Sequence, residues 1–349
     1  MNQINRIGGI SRGGGVRRAA VAGLVLVLIL TGGSATRMAA FGAARTWTVV
    51  VGGTTRDFSV WSNAFHPRKI DIAIGDTVVW KFAGVHNVAF LGGDKFPALF
   101  VSEGDRLSFN PLVAFPAGGT TYDGTGYHNS GMSPDNPALF VKYTYALTFT
   151  KAGTYDYVCV VHGPGMGGTV EVQDRVSGAP MSAAAQGARD QAASLRAGTA
   201  SLAAWKPTSP GSNVVAPMVG SIASGYSLLR FSRLPLTVSR GTTVTWTMQD
   251  PFEIHTVTFT SGQKPPDFVL VQPQAKGPPK LMLNPKAVAV TLQKTYDGKG
   301  YVNSGLLYST STPGNVRRSY SLTFTTPGRY EYWCIVHVPE GMKGVIIVR

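Results

Sequence analysis

Sulfur and imidazole recur in one order at two places in the chain. Residues 155–166 read YDYVCVVHGPGM and residues 330–342 read YEYWCIVHVPEGM, so Cys159, His162 and Met166 are matched by Cys334, His337 and Met342. A further histidine stands upstream of each group, His86 in VHNVAF and His255 in IHTVTF. A thiolate, two imidazoles and a weak thioether make the trigonal donor set with a long axial ligand that suits copper electron transfer. Zinc also accepts cysteine and histidine but has no use for a distant thioether, so Met166 and Met342 tip the choice to copper. Taken singly, an inward histidine in a β core is often structural and a methionine after it is often packing. Repetition of the whole quartet argues against that.

The chain has only two cysteines, so a Cys159–Cys334 disulfide is the competing reading. An internal repeat opposes it. IDIAIGDTVVW (70–80) pairs with LTVSRGTTVTW (236–246), TYDGTGYHNSG (121–131) with TYDGKGYVNSG (295–305), and YALTFTKAGTYDYVC (145–159) with YSLTFTTPGRYEYWC (320–334). Each cysteine therefore belongs to its own domain, at the same place. The repeated segments are short, rich in Val, Thr, Tyr and Phe, and separated by Gly, Pro and Asp turns, which predicts all-β architecture with two antiparallel sandwiches or barrels. Two-residue alternation turns His255 inward with Val257 and Phe259, and sends Thr256, Thr258 and Thr260 to a solvated face. It likewise groups Cys334 with Tyr330 and Tyr332, and puts Trp333 with Glu331 on the exposed side.

Length and composition agree with two globular domains: 349 residues, 44% hydrophobic, 14% charged, 42 Gly and 22 Pro. The boundaries are read as 1–45 for an N-terminal export segment, 46–174 for domain one, 175–217 for a linker that begins Ala-rich and helical and ends in Pro and Ser, and 218–349 for domain two. In the export segment, Arg6, Arg12, Arg17 and Arg18 precede an apolar run of 12 residues from Ala19 to Leu30. That is a signal-peptide layout, too short for the roughly 20 residues of a spanning helix. The expected location is periplasmic or extracellular, and membrane association would come only through this segment.

With both quartets in place, the chain resembles the cupredoxins, the blue copper family of plastocyanin, pseudoazurin, amicyanin and azurin, over both domains. The resemblance implies tandem Greek-key β-sandwiches, one type 1 copper per domain, and one-electron transfer between redox protein partners. The ligands it implies are His86, Cys159, His162 and Met166 in domain one and His255, Cys334, His337 and Met342 in domain two. The second loop, C-x2-H-x4-M, is similar to the plastocyanin spacing, and the first is one residue shorter. Asn87 matches the His-Asn of plastocyanins that ties the ligand loops together, with Thr256 in its place in domain two. Further implications are an electron port at the edges of His162 and His337, and a second at Trp333.

An enzyme resembling copper nitrite reductases would carry a histidine directly before the cysteine, where this chain has Val158 and Trp333. A trinuclear cluster needs eight histidines beyond those of type 1 sites, and the chain has six in all. The expectation is an electron carrier and no enzyme, with copper scavenging or delivery as the alternative. His66 and His128, whose repeat counterparts are Ser232 and Val302, are read as surface or turn histidines. The formal charge is +14 overall, −3 over domain one and +8 over domain two. Opposite signs favour docking of the domains on each other or on charged redox partners, and nucleic acid is not an expected partner.

Overall fold

The computed structural model describes residues 43–135, 139 and 142–349; the apolar run Ala19–Leu30 lies outside them. Among the described residues no helix is long and apolar enough to cross a membrane. Two β-sandwiches follow one another, as the repeat requires, and they belong to one compact unit from Ala43 to Arg349.

In domain one, the strands Thr46–Thr54, Val60–His66, Thr77–Phe82 and Thr144–Phe149 form one face, and Lys69–Ala73, Gly167–Gln173, Gly153–Val158, Ala89–Phe90 and His128–Ser130 the other. Alternating burial in these strands turns Trp47, Val49, Val78, Trp80, Leu147, Tyr157 and Val170 into a shared core. Domain two repeats the plan with Asn213–Ser221, Thr243–Gln249 and Ser319–Phe324 facing Leu236–Val238, Lys343–Val348, Gly328–Trp333 and Thr258–Phe259. Its first strand begins at Asn213, inside the stretch read as linker. Arg45, placed with the export segment, is part of domain one: its backbone N–H donates to Asp76 Oδ1 at 2.7 Å and its guanidinium lies over Trp47.

The sandwiches are fused by two shared sheets. Val60–His66 of domain one pairs antiparallel with Tyr226–Leu228 of domain two, with Ser62 opposite Tyr226, so one ten-stranded sheet runs through both domains. The hairpins Phe100–Glu103/Arg106–Phe109 and Val269–Gln272/Lys280–Leu283, which sit between each first histidine and its cysteine, pair Ser108 with Met282 to make a four-stranded sheet. In both sheets the strands that meet are repeat counterparts, so a pseudo-twofold axis relates the halves. Side chains cross the axis as well: Trp61 packs in the core of domain two and Phe252 in that of domain one.

The linker holds the expected helix, Pro180–Ala204, which buries Gly187, Ser194 and Gly198. It packs along Thr46–Thr54 and Val60–His66, where Ser194 Oγ donates to Gly225 O and Gln191 Nε2 to Gly52 O, each at 2.8 Å.

Candidate metal centres

Each domain gathers one cysteine and two histidines. In domain one, His86 follows Thr77–Phe82 in a loop whose backbone is clamped by Ser133: His86 N–H donates to Ser133 Oγ at 3.0 Å, and that hydroxyl donates to Gly84 O at 2.7 Å. A side chain at Gly52 would collide with the His86 ring, and one at Gly84 would put its Cβ 2.8 Å from His86 Nε2. Cys159 caps Gly153–Val158, and its N–H donates to Met166 O at 2.9 Å, which closes the ligand loop on itself. The longer loop of domain two closes in the same way, with Cys334 N–H to Met342 O at 3.0 Å.

The donor atoms converge through Nδ1. Cys159 Sγ lies 3.4 Å from His162 Nδ1 and 3.9 Å from His86 Nδ1, and the two Nδ1 atoms are 2.9 Å apart. In domain two, Cys334 Sγ lies 3.4 Å from His337 Nδ1 and 3.6 Å from His255 Nδ1. A metal bound to thiolate and imidazole at about 2.0–2.3 Å implies trigonal donor separations of roughly 3.5–3.7 Å. The Sγ–Nδ1 separations of both domains lie close to that range, whereas the 2.9 Å between the two Nδ1 atoms of domain one is shorter, so those rings must part to admit an ion. His86, Cys159, His255 and Cys334 have no exposed surface, and His162 and His337 expose 4% and 7%. Met166 and Met342 are fully buried in the clusters that contain the two cysteines. Both cysteines are free, so the disulfide reading fails.

A second layer fixes these groups. Asn87 performs the tie expected of it: its N–H points at Cys159 Sγ at 3.5 Å, its Oδ1 accepts from Val160 N at 2.7 Å, and its Nδ2 donates to Asn129 Oδ1. Thr256 does the same in domain two, with its N–H 3.4 Å from Cys334 Sγ and its Oγ1 accepting from Ile335 N at 2.7 Å. The repeated NSG of the insert proves to be a strut. Asn129 and Asn303 each donate to three backbone carbonyls of the adjoining helical turn, and Ser130 and Ser304 accept from Val88 N and Val257 N.

This strut overturns one expectation. Thr256, Thr258 and Thr260 are buried, not solvated, because the insert covers their face: Thr258 Oγ1 donates to Asn303 Oδ1 at 2.8 Å. The histidine edges, expected at the surface, are buried instead. His162 Nε2 and His337 Nε2 turn inward to the domain interface, where they meet the two oxygens of one buried carboxylate, Glu253, at 3.2 and 3.3 Å. Asn63 Nδ2 of domain one donates to the same Oε1 at 2.9 Å. Sequence reasoning missed Glu253; the signal was an acidic residue two places before His255 where the repeat has Gly84. Trp333 is half-buried, with Lys343 Nζ 4.9 Å from its ring centroid.

Burial and ion pairing set the protonation of this string. Burial works to lower the pKa of His162 and His337, but Glu253 and the cysteine beside each outweigh it: His162 rises to about 10 and His337 well above its usual value. Burial works to raise the Glu253 carboxyl, but the two histidines hold it well below the usual carboxylate range. Cys334 falls to about 5, since the His337 charge and the hydrogen bonds from both histidines overcome the burial that opposes ionisation. His86 goes well below its usual value, through burial first and His162 second. The thiolate needed for a metal ligand is thus stabilised in domain two before any ion binds.

The remaining histidines stand apart from both centres. His66 is a buried strand residue, not a surface one, because the connector helix packs on its strand with Gly187 against the His66 backbone; its Nε2 lies 2.8 Å from Ser62 Oγ. His128 is half-buried with its ring against Tyr122.

Residues 62–173 and 218–349 match the family described as copper binding proteins of the plastocyanin/azurin type, and with more than half its length matched the chain belongs to that family. Its two tandem domains are cupredoxins. Among solved structures, the oxidized state of a proline-to-alanine mutant of amicyanin aligns at 24% identity over 37% of this chain and 82% of that chain, with a TM-score of 0.22. The reduced Cu(I) form at pH 4 of a proline-to-glycine mutant of amicyanin aligns at 25% identity over 38% and 84%, also with a TM-score of 0.22. No curated protein matches the chain.

Proposed function

We propose that the protein is an exported electron carrier that holds one type 1 copper in each domain and performs no substrate turnover. The observation that carries this is the paired burial of one Sγ and two Nδ1 atoms in each domain, all within 4.8 Å of one another, with a methionine closing each loop. His86, Cys159, His162 and Met166 hold the first ion, and His255, Cys334, His337 and Met342 the second. Copper in such a set supplies a one-electron couple with little change of geometry. The chain contributes rigidity: the Asn87 and Thr256 ties, the Ser133 clamp and the NSG struts fix every donor in advance, as a low reorganisation cost requires.

Burial of both donor sets favours retention of the ion over hand-off, and so favours a carrier over a delivery protein. With the edges of His162 and His337 turned inward, electron exchange with partner proteins falls to other surfaces, of which the half-buried Trp333 beside Cys334 is the first candidate. Charges of −3 and +8 on the two domains suit partners of different sign.

The test is to load the chain with Cu(II) and record copper per chain, visible absorption and electron paramagnetic resonance. The expected result is two coppers, an intense thiolate-to-copper band and narrow hyperfine splitting. A colourless protein with tightly bound copper would contradict the reading.

A further inference from the structure

The carboxylate between the two centres belongs to one domain and touches the ligands of both. We infer that Glu253 is a positioning residue shared by the two metal centres, which holds His162 and His337 with Nε2 protonated and so couples the ligand set of domain one to that of domain two. This rests on the copper reading above, and goes beyond it in making the centres one unit.

Placement is the first argument. Glu253 lies in a loop of domain two that is three residues longer than its counterpart, since nine positions separate Trp246 from His255 and six separate Trp80 from His86. The equivalent residue is Gly84, where even a Cβ would crowd His86 Nε2. Domain one has no room for a carboxylate of its own there. The longer loop carries Glu253 across the pseudo-twofold axis, and Phe252 beside it anchors in the core of domain one. From the other side comes Asn63, itself tied to domain two through Nδ2 to Ser227 Oγ at 2.8 Å and N–H to Gly225 O at 2.7 Å. Both domains therefore fix the carboxylate.

Chemistry is the second. An ionised carboxylate only accepts hydrogen bonds, and a buried one without donors is strongly unfavourable. Here Glu253, 5% exposed, receives three donors, one imidazole on each oxygen and Asn63 on Oε1. Each imidazole must present Nε2–H to it, which leaves Nδ1 for the ion beside the cysteine, the arrangement by which a neighbour fixes a ligand's tautomer and ring orientation. The other two ligand histidines lack such a hydrogen bond: among the described residues His86 Nε2 makes none, and His255 Nε2 makes none either, with the buried Asp250 Oδ2 no closer than 4.0 Å. One planar group thus orients the loop histidine of both centres, and a change of ring position in one domain reaches the other through two hydrogen bonds.

The experiment uses the full chain. In a Cys334→Ala background, which leaves domain one as the sole thiolate centre, Glu253→Gln keeps the size of the side chain but offers one acceptor and one donor, so it cannot accept from both rings. Titration with Cu(II) against a chelator is expected to show a 10- to 100-fold loss of affinity in domain one from this change in domain two, with a shifted thiolate-to-copper band. Unchanged affinity and spectrum would overturn the proposal. Imidazole 15N spectra of the copper-free wild-type chain give an independent readout that needs no variant. His162 and His337 should both show protonated Nε2 in slow exchange with solvent, and rapid exchange or unprotonated Nε2 at either would also overturn it. If Cys334→Ala binds no copper, the copper reading fails for domain one, while the copper-free spectra still decide the role of Glu253.

Discussion

Burial, more than any charged neighbour, sets the chemistry of His66. The residue is 3% exposed, and burial, partly offset by the Asp190 charge and reinforced more weakly by Arg68, pushes its pKa down to about 4. A histidine near 6.5 in the unfolded chain and near 4 in the fold is neutral when folded, so its stabilising effect is full above pH 6.5 and is lost as pH falls toward 4. The difference is on the order of 3 kcal/mol. Urea unfolding followed from pH 7 to pH 4 should therefore show a steeper loss for the wild type than for His66→Gln, and parallel curves would refute the assignment. Sequence marked His66 as spare because its counterpart is Ser232; what it could not show is the docking of the connector helix, whose Gly187 lies against the His66 backbone. The same holds for Glu253. The cysteine and two histidines that cluster in each domain were legible because the repeat carries two copies of them, whereas Glu253 exists once, opposite a glycine, and acquires its meaning only when the domains meet.

Secondary structure was legible where local pattern decides it, as in the Ala-rich connector that forms the helix Pro180–Ala204. How that helix docks was not, since its buried stripe is made of small residues and not of large apolar ones. A Cβ at Gly187 would fall 2.5 Å from His66 O, a backbone atom that cannot step aside. Gly187→Ala adds up to about 1 kcal/mol of helix propensity, but overpacking of about 1–3 kcal/mol should win. The expected result is a lower urea midpoint at unchanged slope, and a higher midpoint would mean that the helix stands off the sheet. The threonine face of residues 254–260 failed for a related reason: period-two alternation assigns faces correctly, but whether a face meets water depends on the insert with its Asn303 strut, which is distant in sequence.

Across the whole molecule, the repeat becomes a pseudo-twofold unit whose halves share a ten-stranded and a four-stranded sheet. Such fusion turns two cupredoxin domains into one body, and it directs the loop histidines toward each other instead of toward solvent. The opposite charges of the domains, read at first as a reason for them to dock, now lie on halves already joined by backbone pairing. The central claim is that two ions sit in matched sets facing one carboxylate. It is tested most directly by anomalous diffraction at the copper edge from crystals of the loaded full chain. The account requires two peaks, each bounded by Sγ of the cysteine and Nδ1 of both histidines of one domain, with Glu253 between His162 and His337 and bound to neither ion. A single peak, or one on the Nε2 side against Glu253, would contradict it.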